Sequence, residues 1–310
     1  MPDVPLVSTV IPTRNRPELV TRAVRSALAQ SYRNLEVIVV IDGPDECTSM
    51  ALAQIDDPRL RLIALAESKG GASARNSGVE AARGEWIALL DDDDEWLPEK
   101  TECQLRIAQQ SRHRIPIVSS RFIARTPQAD YLWPRRIPEP SEHVGDYLFS
   151  RRTFFKGEGL MVTPTLFTKR DLLLAMPFRA GMRKHQDWDW VLRASSYEGV
   201  GIEFESKALA IVYMEENRPG ISNADDWQYS RSWIREIHPY LTDRAYGAFL
   251  LTVVADQAAR QTNMREYGTL LQEAMRDGKP QAFHLLLYAG IRLFPREQRQ
   301  QLRYWLRSKS

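Results

Sequence analysis

Apolar residues in the first third of the chain form short runs that are separated by segments of helical periodicity. Runs at residues 6–11, 35–41 and 85–90 have the length of buried strands, and we expect Pro12 to end the first; residues 60–65 alternate and predict another strand. Residues 17–28, 47–54 and 70–82 and a segment from Pro98 predict helices between or after them. Apolar strands that alternate with helices indicate an α/β fold with a mostly parallel, Rossmann-like sheet flanked by helices.

The pattern becomes mixed after about residue 115. We predict further strands at residues 117–123, 160–167 and 208–213, an irregular loop at 125–140, and a helix that begins at or near Asp187. From about residue 225 onward no strand pattern appears. We therefore predict an α/β domain over residues 1–222 and an all-helical C-terminal region over residues 223–310.

Four consecutive aspartates at residues 91–94 follow the fourth apolar run. Four like charges at the end of a buried strand repel one another unless a counter-charge is present. A hard divalent cation is a natural counter-charge, because it prefers oxygen ligands and bridges carboxylates to phosphates. Asp42 and the pair Gly70-Gly71 also follow strands, and ligands of parallel sheets bind beyond the carboxyl ends of the strands. We expect these three loops to line one crevice.

Composition and charge limit the classes of function that the chain can have. A net charge of +2 provides no global field for nucleic acid, and 43% hydrophobic residues support a packed core. Cys47 and Cys103 form no CxxC pair, so we expect a reducing cytoplasm. The first residues lack a basic segment before an apolar stretch, so a secretory signal is not expected. No apolar run approaches the roughly 20 residues that a membrane-spanning helix needs.

Five ordered motifs resemble the inverting glycosyltransferase family 2, which has the GT-A fold. They are VIPTRNR at residues 10–16, VVIDG at 39–43, GASARNSG at 71–78, GEWIALLDDDD at 84–94 and QDWD at 186–189. The resemblance covers roughly residues 5–215 and implies metal-dependent transfer of a sugar from a nucleotide sugar to a glycan or lipid-linked glycan. Two alternatives stay open: a sugar nucleotidyltransferase, and a non-catalytic subunit that binds nucleotide sugar.

The resemblance assigns Asp93 to a divalent metal, Mn²⁺ or Mg²⁺, and Asp91 and Asp92 to the donor, as a DXD motif. Four adjacent aspartates leave the register open, since Asp92 or Asp94 could share the metal or cap the next helix. The plain alternative is a solvated acidic turn.

The resemblance also implies nucleotide-binding residues. Asp42 would accept a hydrogen bond from a uracil or thymine N–H, which favours UDP- or dTDP-sugars, and Pro12, Thr13 and Arg14 would contact the base and ribose. Arg75, near a helix start, suits a phosphate or a base edge. The alternatives are a simple turn at Asp42, a surface charge at Arg14, and an ion pair between Arg75 and the aspartates.

Asp187 is the candidate general base, because an inverting displacement needs one carboxylate to take the proton of the acceptor. Gln186 stands where the family frequently has Glu, and Gln cannot act as a base. Asp189 is the rival; a helix rotates it about 200° away from Asp187, so both cannot face one site. A helix N-cap would also explain Asp187.

Three further predictions concern the acceptor and the C-terminus. Arg218 would contact the diphosphate from a loop that lacks a metal-binding His. The acceptor sugars would stack on Trp133, Phe154, Phe155 and Met161; alternatively, these residues simply pack in the core. If the last segment is a helix, its arginines fall on one side and its apolar residues on the adjacent side, a pattern typical of a helix that lies on an anionic membrane. These residues are Arg296, Arg299, Arg303 and Arg307, with Leu302, Trp305 and Leu306. The alternative is a helical bundle, packed on the catalytic domain or in a homo-oligomer.

Overall fold

The computed structural model describes residues 4–214, 226–294 and 298, and these residues form two compact units. One unit comprises residues 4–134 and 161–214, and the other comprises residues 135–160 and 226–294. The predicted domain boundary at residue 222 lies outside the described residues and stays a prediction. Residues 135–160 belong to the helical unit, although they lie within the predicted α/β domain.

The first unit is built on one sheet. Its strands are β1 (Val7–Thr13), β2 (Leu35–Ile41), β3 (Leu60–Ala64), β4 (Trp86–Leu89), β5 (Glu95–Trp96), β6 (Ile115–Arg125), β7 (Asp130–Trp133), β8 (Phe167–Lys169) and β9 (Val200–Tyr213). Their order is β3-β2-β1-β4-β8-β6-β9-β5, with β7 paired to β6. Strands β1 to β4 pair in parallel, as do β6 and β9, whereas β5, β7 and β8 run antiparallel to their neighbours.

The helices in chain order are α1 (Pro17–Leu28), α2 (Glu46–Leu52), α3 (Gly71–Ala81), α4 (Lys100–Gln110), α5 (Val144–Phe149), α6 (Arg170–Ala175), α7 (Gln186–Ser195), α8 (Trp227–Glu236), α9 (Asp243–Phe249), α10 (Ala255–Ala258), α11 (Met264–Asp277) and α12 (Ala282–Leu293). Among them, α5 and α8 to α12 belong to the second unit. Within its described residues this unit contains no strand, as predicted for the C-terminal region. No helix of the described chain is long and apolar enough to cross a membrane.

The parallel half of the sheet agrees closely with the sequence, because β1, β2 and β4 are apolar and buried and the edge strand β3 shows the predicted strand pattern. Every position of β1 and β2 is buried. Pro12, however, does not end β1: it pairs with Val40, and the strand continues to Thr13. The carbonyl of Val10 accepts from Leu90 of the β4 side, so Pro12, two residues on, faces the same edge. β4 pairs with β1 only as far as Val10, so no N–H of residue 12 is needed there.

Predictions in the second half of the sheet need three corrections. The strand predicted at residues 160–167 is mostly wrong, because Thr163–Thr165 form a 3₁₀ turn around Pro164 and β8 begins only at Phe167. The loop predicted at residues 125–140 contains β7, which pairs with β6. β9 is longer than the predicted strand, because it follows β6 in parallel over most of its length. These pairings depend on distant segments, which local patterns do not reveal.

Candidate active site at the carboxyl ends of the strands

The aspartate run forms a tight turn directly after β4, in which the N–H of Asp94 donates to the carbonyl of Asp91 at 3.2 Å. The four side chains alternate in exposure. Asp92 and Asp94 are buried, whereas the side chains of Asp91 and Asp93 are 27% and 29% exposed. Only Asp91 and Asp93 of the run therefore present partly open carboxylates, as a DXD motif in that register requires.

The two buried aspartates are held by neighbouring groups. Oδ2 of Asp92 accepts from Oγ1 of Thr13 at 2.8 Å, and its Oδ1 accepts from Arg16 at 2.9 Å. Burial raises the pKa of Asp92 to about 6, despite the opposing charge of Arg16. Oδ1 of Asp94 accepts from the N–H of Tyr213 at 3.1 Å, and burial together with the other aspartates raises the pKa of Asp94 well above its usual value.

Arg16 is a site residue that the sequence left without a role. Its Nη1 lies 2.9 Å from Asp92 and 3.3 Å from Asp93, so one guanidinium faces two consecutive carboxylates. The available signal was topological: Arg16 follows the end of β1, and β1 pairs directly with β4, which ends at the aspartates. A basic residue after the neighbouring strand is well placed to balance them.

Arg75 connects the aspartate run to the start of α7. Its Nη2 donates to Oδ1 of Asp91 and its Nη1 donates to Oε1 of Gln186 at 2.7 Å. Gln186 in turn donates from Nε2 to the carbonyl of Met182 at 2.7 Å, which orients its amide oxygen toward Arg75. Arg75 is buried, so this link is shielded from solvent. The ion pair that was an alternative for Arg75 is present.

Asp187 lies in the first turn of α7 and is not its N-cap. The N-cap is His185, which adopts a left-handed conformation with φ of 63°. The capping alternative for Asp187 is therefore wrong. Burial raises the pKa of Asp187 to about 6; a hydrogen bond from the N–H of Trp188 and the charge of Arg75 oppose the rise, and Asp91 adds to it. The structure thus places the candidate base in the electrostatic neighbourhood of Arg75 and Asp91.

Asp189, the rival base, has a structural position. Its side chain is fully buried and forms ion pairs with Arg179 and with Arg193, the latter at 2.8 Å. The two guanidinium groups and the burial of Asp189 leave its carboxylate little access to a substrate. Asp187, by contrast, is close enough to Asp91 for that charge to raise its pKa.

Asp42 is buried at the end of β2 and organises the loop before α3. Its Oδ2 accepts from Oγ of Ser68 at 2.8 Å and from the N–H of Gly70 at 3.0 Å, and its Oδ1 accepts from the N–H of Lys69 at 2.7 Å. Oδ1 thus retains room for one further donor. Arg14 joins this group through a 2.7 Å hydrogen bond to Ser68, so the residues predicted for nucleotide binding are connected.

The remaining predicted residues have other surroundings or fall outside the described part of the chain. Pro12 is buried inside β1, one residue before Thr13, and Met161 is fully buried in the core. Trp133 packs against Phe122 and Tyr131. Phe154 and Phe155 belong to the second unit. Arg218 and the C-terminal residues Arg296, Arg299, Leu302, Arg303, Trp305, Leu306 and Arg307 lie outside the described residues.

The carboxylate oxygens of this cluster suit a cation that is bound partly by the protein and partly by a substrate. In the described part of the chain, no group of three or more His, Cys, Asp or Glu residues is arranged to hold a metal ion. Mg²⁺ and similar ions commonly bind through one or two carboxylates together with phosphate oxygens. The partly open carboxylates of Asp91 and Asp93 suit that arrangement.

Comparison with known proteins agrees with the motifs. The family model of glycosyl transferase family 2 matches residues 8–173. The amylovoran biosynthesis glycosyltransferase AmsB of Erwinia amylovora is 28% identical over 247 residues, which cover 76% of this chain and 79% of that protein. The putative colanic acid biosynthesis glycosyl transferase WcaA of Escherichia coli is 26% identical over 281 residues, covering 89% and 95%.

Two further matches are more limited. The succinoglycan biosynthesis protein ExoO of Rhizobium meliloti is 41% identical over 114 residues, which span 37% of this chain and only 33% of ExoO. The crystal structure of S. aureus TarS 1-349 in complex with UDP-GlcNAc superposes with a TM-score of 0.58 at 16% identity, covering 88% of this chain and 81% of TarS 1-349. It supports the GT-A fold. Because the family model matches more than half of the sequence, the chain belongs to glycosyl transferase family 2.

Proposed function

We propose that this glycosyltransferase acts in polysaccharide biosynthesis, by moving a sugar from a nucleotide sugar to a hydroxyl group of a glycan or lipid-linked glycan. The observation that carries the proposal is the Arg75 link. It joins Asp91, on the donor side, to Gln186, which directly precedes the candidate base Asp187. The groups proposed for the donor and for proton removal are thus connected through one buried side chain. Relatives named for amylovoran and colanic acid biosynthesis support the pathway class.

The proposed donor is a UDP- or dTDP-sugar. The free hydrogen-bonding capacity of Asp42 Oδ1 suits the N–H of uracil or thymine, and Thr13 and Arg14 flank that position at the end of β1. Two relatives are named as UDP-Glc-dependent glucosyltransferases, and TarS was crystallised with UDP-GlcNAc and with UDP. These observations support a uracil nucleotide for this chain.

Asp93, with Asp91 beside it, would hold a divalent cation such as Mn²⁺ or Mg²⁺ together with the donor diphosphate. Such a cation neutralises charge that develops on the leaving diphosphate. Arg16 keeps a second positive group next to Asp92 and Asp93. Arg75 holds Asp91 in place and adds positive charge on the donor side of the crevice.

Asp187 would act as the general base in an inverting, single displacement. As the acceptor oxygen attacks the anomeric carbon, its proton passes to the carboxylate of Asp187 while the sugar–diphosphate bond breaks on the opposite face. A pKa of about 6 leaves Asp187 ionised at neutral pH and more basic than an ordinary aspartate.

The test is incubation of the purified protein with UDP-, dTDP- and GDP-sugars, Mn²⁺ and a panel of glycan and lipid-linked acceptors. We expect acceptor-dependent release of UDP or dTDP. Formation of pyrophosphate from a nucleoside triphosphate and a sugar phosphate would instead identify a nucleotidyltransferase. Nucleotide binding without turnover across the panel would support a non-catalytic role. A cytoplasmic location and a homo-oligomer remain predictions.

A further inference from the structure

Helix α12 is apolar on two opposite faces. The inward face consists of His284, Leu287, Tyr288 and Ile291, which are buried. The outward face consists of Ala282, Leu286, Ala289 and Leu293, which are exposed. At about 100° per residue, these four positions fall within one narrow stripe, opposite the buried one. Surface helices of soluble domains normally carry polar residues on that side.

An exposed aromatic residue from another part of the second unit packs on α12 at Phe283, the residue after Ala282. Phe154, which is 51% exposed, packs edge-on against Phe283 of α12 with ring centroids 4.9 Å apart. Leu286 and Leu293 are 63% and 72% exposed. We call Phe154, Ala282, Leu286, Ala289 and Leu293 the α12 surface. Contiguous exposed apolar groups of this kind mark interaction sites in soluble proteins.

Charge indicates what covers this surface. Residues 282–310 contain six basic residues and a single acidic residue, Glu297. The whole chain is nearly balanced, with 42 basic and 40 acidic residues. An apolar face next to a strongly basic sequence is the composition that binds anionic lipid, since the apolar groups enter the interface and the cations attract the headgroups.

A second copy of the chain is a poorer occupant. Packing of two α12 surfaces would join two chains whose residues 282–310 are both strongly basic, and like charges oppose association. Twelve residues of helix span only about 18 Å, which is shorter than the roughly 30 Å hydrocarbon core of a bilayer. The helix suits a position parallel to the membrane, in its interface.

We propose that the α12 surface binds the interface of a bilayer that contains anionic lipid. This contact is independent of the proposed transfer reaction, because it uses residues of the helical unit alone. It would hold the enzyme at a surface where a lipid-linked acceptor is concentrated.

The test is co-flotation of the full chain with vesicles of equal parts phosphatidylglycerol and phosphatidylethanolamine, compared with pure phosphatidylcholine vesicles. We expect the wild type to bind the anionic vesicles. The double variant Leu286→Glu/Leu293→Glu should lose about tenfold or more of this partitioning, since two apolar contacts are replaced by charges that the lipid repels. No donor or acceptor is present, so the result does not depend on the transfer activity.

The matched control is Met50→Glu/Met275→Glu, which places the same two charges at residues that are 64% and 57% exposed elsewhere. It should float like the wild type, and both variants should keep the circular dichroism and melting temperature of the wild type. Equal flotation of the two double variants, or no flotation of the wild type, overturns the proposal. Loss of a wild-type dimer in Leu286→Glu/Leu293→Glu, without any vesicle binding, would identify a second copy as the occupant.

Discussion

The aspartate run after β4 and the acidic pair at the start of α7 both bring carboxylates of like charge close together, but the neighbouring groups differ between the two regions. Both place neighbouring carboxylates in positions of unequal exposure, on adjacent residues in the run and on residues two apart in the helix. In the run, Asp92 is buried against Thr13 and Arg16, while Asp93 stays partly open. In the helix, Asp189 forms ion pairs with two arginines. No such pair to Asp187 is found among the described residues, and its pKa rises to about 6.

Within α7, ion pairs with two guanidinium groups rather than burial alone distinguish Asp189 from Asp187. One guanidinium has a weaker effect, because the pKa of buried Asp92 rises to about 6 even with Arg16 beside it. A carboxylate between two guanidinium groups is held in place as an ion pair. A carboxylate that is desolvated without such partners becomes more basic and can exchange a proton near neutral pH. Substitutions at these carboxylates and at Gln186 test this distinction.

Asp187→Asn should lower kcat by about 10²- to 10⁴-fold, because the acceptor hydroxyl loses its proton acceptor. The dissociation constant for UDP should change little, since the amide keeps the shape of the side chain. Steady-state kinetics and calorimetric titration with UDP measure the two effects. A near-wild-type turnover would exclude Asp187 as the base.

Asp189→Asn should lower the free energy of unfolding by about 3–5 kcal/mol, because Arg179 and Arg193 lose their buried counter-charge.

Asp187→Asn should instead raise the free energy of unfolding at pH 8. The pKa of Asp187 is raised on folding, so its contribution to stability is present below its unfolded pKa of about 4 and is lost as the pH rises through about 6. Urea unfolding of both variants at pH 8 compares the signs; a destabilised Asp187→Asn would contradict this account.

Asp93→Ala should remove the Mn²⁺-dependent part of the stabilisation by UDP. With UDP at about 100 times its dissociation constant, the whole stabilisation by bound nucleotide is about 2.7 kcal/mol. Its Mn²⁺-dependent part should appear as a shift in melting temperature. The exposed Asp56→Ala serves as a control and should retain the full shift. A Mn²⁺-dependent shift that survives in Asp93→Ala would move the metal assignment to another aspartate of the run.

Gln186→Glu should move the acidic limb of the pH–kcat profile to higher pH by less than about one unit. Wild-type activity should fall below a midpoint near pH 6, where Asp187 gains a proton. A second carboxylate next to Asp187 disfavours its ionised form and so raises that midpoint. Gln186→Met removes the acceptor for Arg75 without adding charge and should not raise it. An unchanged midpoint in Gln186→Glu would show that another group controls the limb.

The parallel half of the sheet, the helices that connect its strands and the order of the family motifs follow from the sequence alone. Continuous apolar runs become buried strands, and strand ends bring Asp42, Arg75 and the aspartates to one edge. Local patterns were sufficient there, because burial on both faces leaves few alternatives for such segments.

Tertiary structure alone decided the rest. β7, the short β8 and the full length of β9 depend on pairing between distant segments, which local periodicity does not contain. The same holds for the charges. Sequence identified Asp187 and Asp189 as rivals, but only the positions of Arg179 and Arg193 made one of them structural. An ion pair forms where folding brings two side chains together, so neither residue reveals its partner on its own.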